Sequence, residues 1–134
     1  MNISRIEALL FALASLNNWQ APHSDAFQLR NPLMLRAFAP KHERDERGRR
    51  RFPSFSAGLD NGLMDLQIKC SGKSFSKLTP DNTLTDLVCV YGHTAAAARA
   101  VKNFLRAALG TDEVRETQKL GWFLETNAKV AQAA

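Results

Sequence analysis

The sequence holds little of what usually marks a chemical function. Two cysteines, Cys70 and Cys89, allow one disulfide at most and are too few for a cysteine-built zinc site. The three histidines, His23, His42 and His93, form no His-x-x-x-His pair, so no metal is expected. Seven glycines and five prolines are too few for a collagen-like or low-complexity chain. There is no glycine-rich phosphate loop, no Ser or Cys nucleophile motif, no internal repeat, and no carboxylate pair placed on one face. No cofactor is therefore expected. No apolar run approaches the ~18 residues of a membrane helix. Glu7 interrupts the apolar opening segment and one basic residue precedes it, so neither a leader nor a membrane association is expected.

What remains is the composition of a globular protein: 134 residues, 45% hydrophobic and 23% charged. A chain of this length removes about two thirds of its unfolded surface from water, enough for a real core. Eighteen Lys and Arg against thirteen Asp and Glu leave a formal charge of +5. That balance favours an anionic partner, whether nucleic acid, anionic lipid or an acidic cell-wall polymer, without choosing among them.

Apolar periodicity organises the chain into helices. Ile6, Leu10 and Leu13 recur at helical spacing over residues 5–16, and Leu9, Phe11 and Leu16 widen the face, which predicts a buried first helix. Asn17 falls where the next apolar residue is due, followed by Asn18 and Trp19, and Pro22 ends any helix. Taken alone, Asn17 reads as a C-terminal cap. Residues 31–40 and 49–55 bracket a polar run, 41–51, and predict one small irregular hairpin with a solvated tip. Leu59, Leu63, Leu66 and Cys70 predict a second helix, with Ser56 as cap, Gly72 as stop and Asp65–Lys69 as a supporting pair. Thr83 and Asp86 open a short helix that Gly92 closes. Thr94 opens another, with Ala97, Val101, Phe104, Leu105 and Ala108 on one side and Arg99, Lys102 and Arg106 on the other, closed by Gly110. Asp112 and Glu113 suit the first turn of a last short helix that takes in Trp122 to Leu124. Mainly α architecture follows, with four to five helices around a buried first helix. Residues 1–125 are expected to form one domain and 126–134 a flexible Ala-rich tail.

The order of these signals resembles the small bacterial and phage-associated lysozyme-like domains. The likeness runs over about residues 3–115 and rests on the Trp19-bearing helix exit, Asn-Pro-x-x-Leu-Arg at 31–36, Arg-Phe-Pro-Ser-Phe-x-Ala-Gly-Leu at 51–59, Thr-Leu-Thr-Asp-Leu-Val at 83–88, and Leu109-Gly110. Members of that family act on the glycan strands of peptidoglycan, with a Glu at the end of the first long helix as proton donor. A carboxyl group held partly out of water keeps its proton near neutral pH, as protonation of a glycosidic oxygen requires. In this chain the position holds Asn17, with Asn18 where the family has Gly. Leu33 and Met34 replace small and polar loop residues, and residues 95–98 are all Ala where a polar Asn-Asp-Thr segment would line the cleft.

The resemblance thus implies a lysozyme-like α+β domain that has lost hydrolysis and keeps a glycan-binding or structural role, in the cytoplasm or phage-associated. No catalytic residue is assigned. Asn17, Asn18, Trp19, Asn31, Arg36, Tyr91 and His93 are the expected ligand-binding residues. Glu7 belongs to the first turn of its helix, where a carboxylate favours the dipole. Glu43, Asp45 and Glu46 lie among arginines that favour their ionised form. Two other functions remain open: nucleic-acid binding through Arg47, Arg49, Arg50, Arg51 and the Arg99, Lys102, Arg106 face, and oligomerisation in a virion-associated or structural part through Leu33, Met34 or the cluster at 122–124.

Overall fold

The computed structural model describes residues 3–36 and 41–125. The expected tail, 126–134, lies outside the described residues, as do 37–40 of the expected hairpin. Among those described, the chain is mainly helical, with five α-helices and three short 3-10 turns.

Helix α1 (Arg5–Leu16) starts in a capping box: the Ser4 hydroxyl accepts from the Glu7 N–H, and the Glu7 carboxylate accepts from the Ser4 N–H. Hydrogen bonding of the Glu7 carboxyl to Ser4, through the Ser4 side chain first and its backbone N–H second, holds its pKa below the usual value. Leu9, Leu10 and Leu13 are buried together with Ala8, Ala12 and Ala14, and each fully buried leucine is worth about 1.5–3 kcal/mol relative to exposure. Small residues interleaved with leucines let neighbours approach closely, and α1 packs against α3 (Phe55–Cys70), α5 (Ala98–Leu109) and the 3-10 turn Leu120–Leu124. At its start, the buried Arg5 guanidinium stacks 4.0 Å over the Trp122 ring, donates to the Trp122 carbonyl and pairs with Glu125 at 2.8 Å.

A short helix that periodicity does not reveal, α2 (Asp25–Leu29), follows the first exit. Ser24 caps it, and Arg30 ends it in the left-handed conformation at φ 52°.

Where a hairpin was expected, a turn closed by one antiparallel bridge, Arg44 to Arg50, is found. A strand over 31–36 is broken by Met34 at φ 56°. Asn31, fully buried, does the joining that a β-ladder would do. Its amide donates to the Leu35 and Arg50 carbonyls at 2.9 and 2.8 Å, and its oxygen accepts from the Leu35 N–H at 2.9 Å. Asp45 organises the tip by accepting from the Arg47 and Arg49 N–H groups.

Helix α3 begins two residues earlier than expected, with Ser54, not Ser56, as its cap. Its innermost line is Gly58, Gly62, Leu66 and Cys70, all buried, while Leu59 and Leu63 are half-buried. At Gly58 the 30–33 loop crosses the helix at backbone distance, and at Gly62 the Leu10 and Leu33 side chains fill the space a Cβ would take. A Cβ on Gly58 would stand 2.0 Å from the Arg30 carbonyl oxygen.

Helix α4 (Leu84–Val90) has the expected Thr83–Asp86 capping box, and the Thr83 N–H, followed by Asn82, depresses the Asp86 pKa. In α5 the buried line is Ala98, Val101 and Leu105, whereas Phe104 and Ala108 face outward. Thr94 precedes a 3-10 turn, Ala95–Ala97, without a side-chain capping bond. Asp112 and Glu113 start no helix: the last helical segment is the 3-10 turn at Leu120–Leu124, reached by a strap that meets α4 through a Thr83–Lys119 bridge.

Candidate functional site

An open groove of ≈ 550 Å³ lies between the 33–36 loop, α3 and the end of α4. Asn31 sets its near wall by fixing Leu35 against Arg50, which leaves Met34 and Arg36 facing the groove. The far wall is one stripe of α3: Asn61, Met64, Asp65, Ile68 and Lys69, spaced i, i+3, i+4, i+7 and i+8. Val90 and Tyr91 close the end. Met64, Ile68 and Val90 are 57%, 40% and 40% exposed, so water touches three large apolar side chains in one concave surface.

Polar chemistry in the groove centres on Asp65. Its Oδ2 accepts from the Tyr91 hydroxyl at 2.6 Å and from Lys69 Nζ, one turn along the same helix. Lys69 Nζ also lies 4.9 Å from the Tyr91 ring centre. Burial, followed by the nearby Asp65 charge and hydrogen bond, raises the Tyr91 pKa above its ordinary value, so the phenol stays protonated as a donor. Asp65 is an acceptor for both neighbours, which suits it to orienting hydroxyl or amide groups and not to delivering a proton.

Of the seven expected binding residues, Arg36 and Tyr91 meet in this groove. Asn18 and Trp19 line a second, shallower one of ≈ 390 Å³ with Ser15, Gln20 and Ala21. Trp19 is fixed there by Phe11 and Phe55, at centroid distances of 6.0 and 5.9 Å. Asn17 and Asn31 line neither. Asn17 is the C-cap of α1, with φ −95°, and its amide donates to the Pro32 carbonyl at 2.9 Å. The left-handed residue at this helix end is Asn18, at φ 53°. Asn31 turns its carboxamide onto three backbone groups. His93 follows α4, half-buried, its backbone N–H donating to the Val88 carbonyl; burial lowers its imidazole pKa.

Asp65, Lys69, Asn61 and Met64 were missed as site residues because the Asp65–Lys69 pair read as helix support. The 61, 64, 65, 68, 69 spacing was the available signal, a second amphipathic face on a helix whose first face is the core. The other two expected surfaces fare differently. On the basic side of α5, Lys102 lies 3.6 Å from Glu116 and Arg106 Nε donates to the Val114 carbonyl, so two of its three cations are engaged. Leu33 and Phe123 are buried and unavailable as a contact patch. Both cysteines are free; Cys70 is buried and Cys89 exposed. Among the described residues no group of three or more His, Cys, Asp or Glu could hold a metal ion, and no helix is long and apolar enough to cross a membrane.

Comparison of the chain with family models, with curated proteins and with solved structures finds no match.

Proposed function

We propose that this chain is a lysozyme-like domain that holds the glycan strands of peptidoglycan without cutting them. The observation that carries the reading is the Asn17–Pro32 hydrogen bond. The side chain at the end of the first helix is tied to Pro32, the residue before the loop that walls the groove, at the position where the resemblance seats an acid. An amide there donates to a carbonyl and has no proton to surrender to a leaving group. General acids contribute about 10²–10⁴ in rate, so a mechanism built on one acid stops without it.

Two further features support the reading. Asn18 is left-handed where the resembling domains carry Gly, and Asn tolerates that backbone at little cost. The groove offers the mixed surface a hexose needs: Met64, Ile68 and Val90 for its apolar face, and Asn61 and Asp65 for its hydroxyls.

The test is sedimentation with purified peptidoglycan, alongside release of new reducing ends. The expected result is co-sedimentation with no reducing ends above a buffer control. Release of reducing ends would mean that another acid acts, and absence from the pellet would remove the glycan reading.

A further inference from the structure

The charge imbalance of this chain is confined to one stretch. Residues 30–51 hold eight basic and three acidic side chains, while the rest of the sequence holds ten of each, so the whole +5 resides in these 22 residues. Seven of the eight are arginines: 30, 36, 44, 47, 49, 50 and 51. None of these forms an ion pair with a carboxylate among the described residues, where the four ion pairs all lie elsewhere. Of the acids within the stretch, Asp45 is turned onto the backbone of its own turn. The Nε atoms of Arg49 and Arg50 are shielded from solvent without a hydrogen-bond partner, and unsatisfied buried donors of this kind normally find one.

This stretch borders the groove. The Arg50 N–H donates to the Leu35 carbonyl, and Arg36 is both a member of the stretch and a groove-lining residue. Arginine, unlike lysine, presents a planar fork that takes an oxyanion with two parallel hydrogen bonds.

We propose that the 44–50 turn and Arg36 form the carboxylate-binding rim of the groove, so that the preferred ligand is an acidic polysaccharide with carboxylates spaced along the strand. Nucleic acid fits less well. Phe52 is buried with Arg50 stacked 4.9 Å over it, leaving no described aromatic in the stretch free for base stacking, and the cations stand on a turn and not on a helix that could enter a major groove. This inference rests on the glycan reading above, and the probes below separate the two.

Titrations would use the full chain and Arg44→Ala/Arg47→Ala, both positions being exposed with no side-chain hydrogen bond to a described residue. Unchanged far-UV circular dichroism and thermal midpoint establish that the variant is folded. The probes are a neutral chito-oligosaccharide, peptidoglycan fragments with free stem carboxylates, the same fragments with those carboxylates amidated, and a short DNA duplex. Expected are tighter binding of the free acid than of the amide, and a loss of about fivefold to tenfold for the free acid alone in the double variant, the scale of two exposed ion pairs. Equal affinity for free and amidated fragments overturns the rim while leaving the glycan reading intact. Failure of both the chito-oligosaccharide and the fragments to bind overturns the two together. Duplex DNA that binds as tightly, with the same dependence on Arg44 and Arg47, replaces the polysaccharide with nucleic acid.

Discussion

The Tyr91 hydroxyl donates to Asp65 Oδ2 at 2.6 Å, joining the end of α4 to the middle of α3 across the groove. Lys69 supplies the second donor to the same oxygen. Tyr91→Phe removes the first of these while keeping the ring that Lys69 covers. It should cost about 1–2 kcal/mol, less than leaving the carboxylate alone, because Lys69 remains. Urea unfolding of the variant measures this, and an unchanged midpoint would contradict the bond.

Gly58 and Gly48 separate two reasons for glycine. A methyl group at Gly58 meets the Arg30 carbonyl oxygen at 2.0 Å, a backbone atom that cannot swing aside. Gly58→Ala should therefore destabilise by about 3 kcal/mol through forced separation of α3 from the loop. Gly48→Ala meets nothing within 4 Å and pays only for φ 80°, about 1 kcal/mol. Comparable losses at the two sites would contradict the close approach.

Asn31→Ala leaves the Leu35 and Arg50 carbonyls and the Leu35 N–H without the partner they now share. A loss of about 3 kcal/mol is expected, larger than the ~1 kcal/mol for Asn17→Ala, which frees only the Pro32 carbonyl. Thermal unfolding of both variants under one set of conditions gives the order.

Acidification should weaken the fold in two steps. His93 has its pKa lowered by burial, so the unfolded chain binds the proton more readily and stability falls as pH drops below 6.5. Glu7 and Asp86 have theirs lowered by capping hydrogen bonds, so their contribution, present above the ordinary values of 4.5 and 3.8, is lost as pH falls below those values. His93→Gln should flatten the upper step and Asp86→Asn part of the lower one in urea midpoints recorded from pH 7.5 downward.

The two thiols should differ sharply in reactivity. Burial pushes the Cys70 thiol up to about 12, and its side chain has no exposure, whereas Cys89 is exposed. A thiol-specific chromogenic reagent at neutral pH should titrate one equivalent in the native protein and two in denaturant. Two fast equivalents from the native state would place Cys70 wrongly.

Local signals in the sequence were legible where neighbouring residues carry them. The α1 stripe at Ile6, Leu10 and Leu13, the Thr83–Asp86 box and the Gly110 stop each depend on residues within one or two turns. The Gly58–Gly62 line was not legible, because its causes lie on other segments: the Arg30 carbonyl for Gly58, and the Leu10 and Leu33 side chains for Gly62. The hairpin failed for a similar reason: pairing was replaced by the Asn31 side chain, whose partners lie 4 and 19 residues away. At the candidate site, Arg36 and Tyr91 were anticipated, but their shared groove is made by an α3 face whose Asp65 meets Tyr91 over a separation of 26 residues.

Helix α1 precedes α3, α5 and the 3-10 turn Leu120–Leu124 in the chain, and it packs on all three. During translation α3 can cover part of its apolar surface about fifty residues on, but the rest must wait for partners about a hundred residues downstream. Until those later partners emerge from the ribosome, the face of this apolar helix that they cover is open to chaperone capture or self-association.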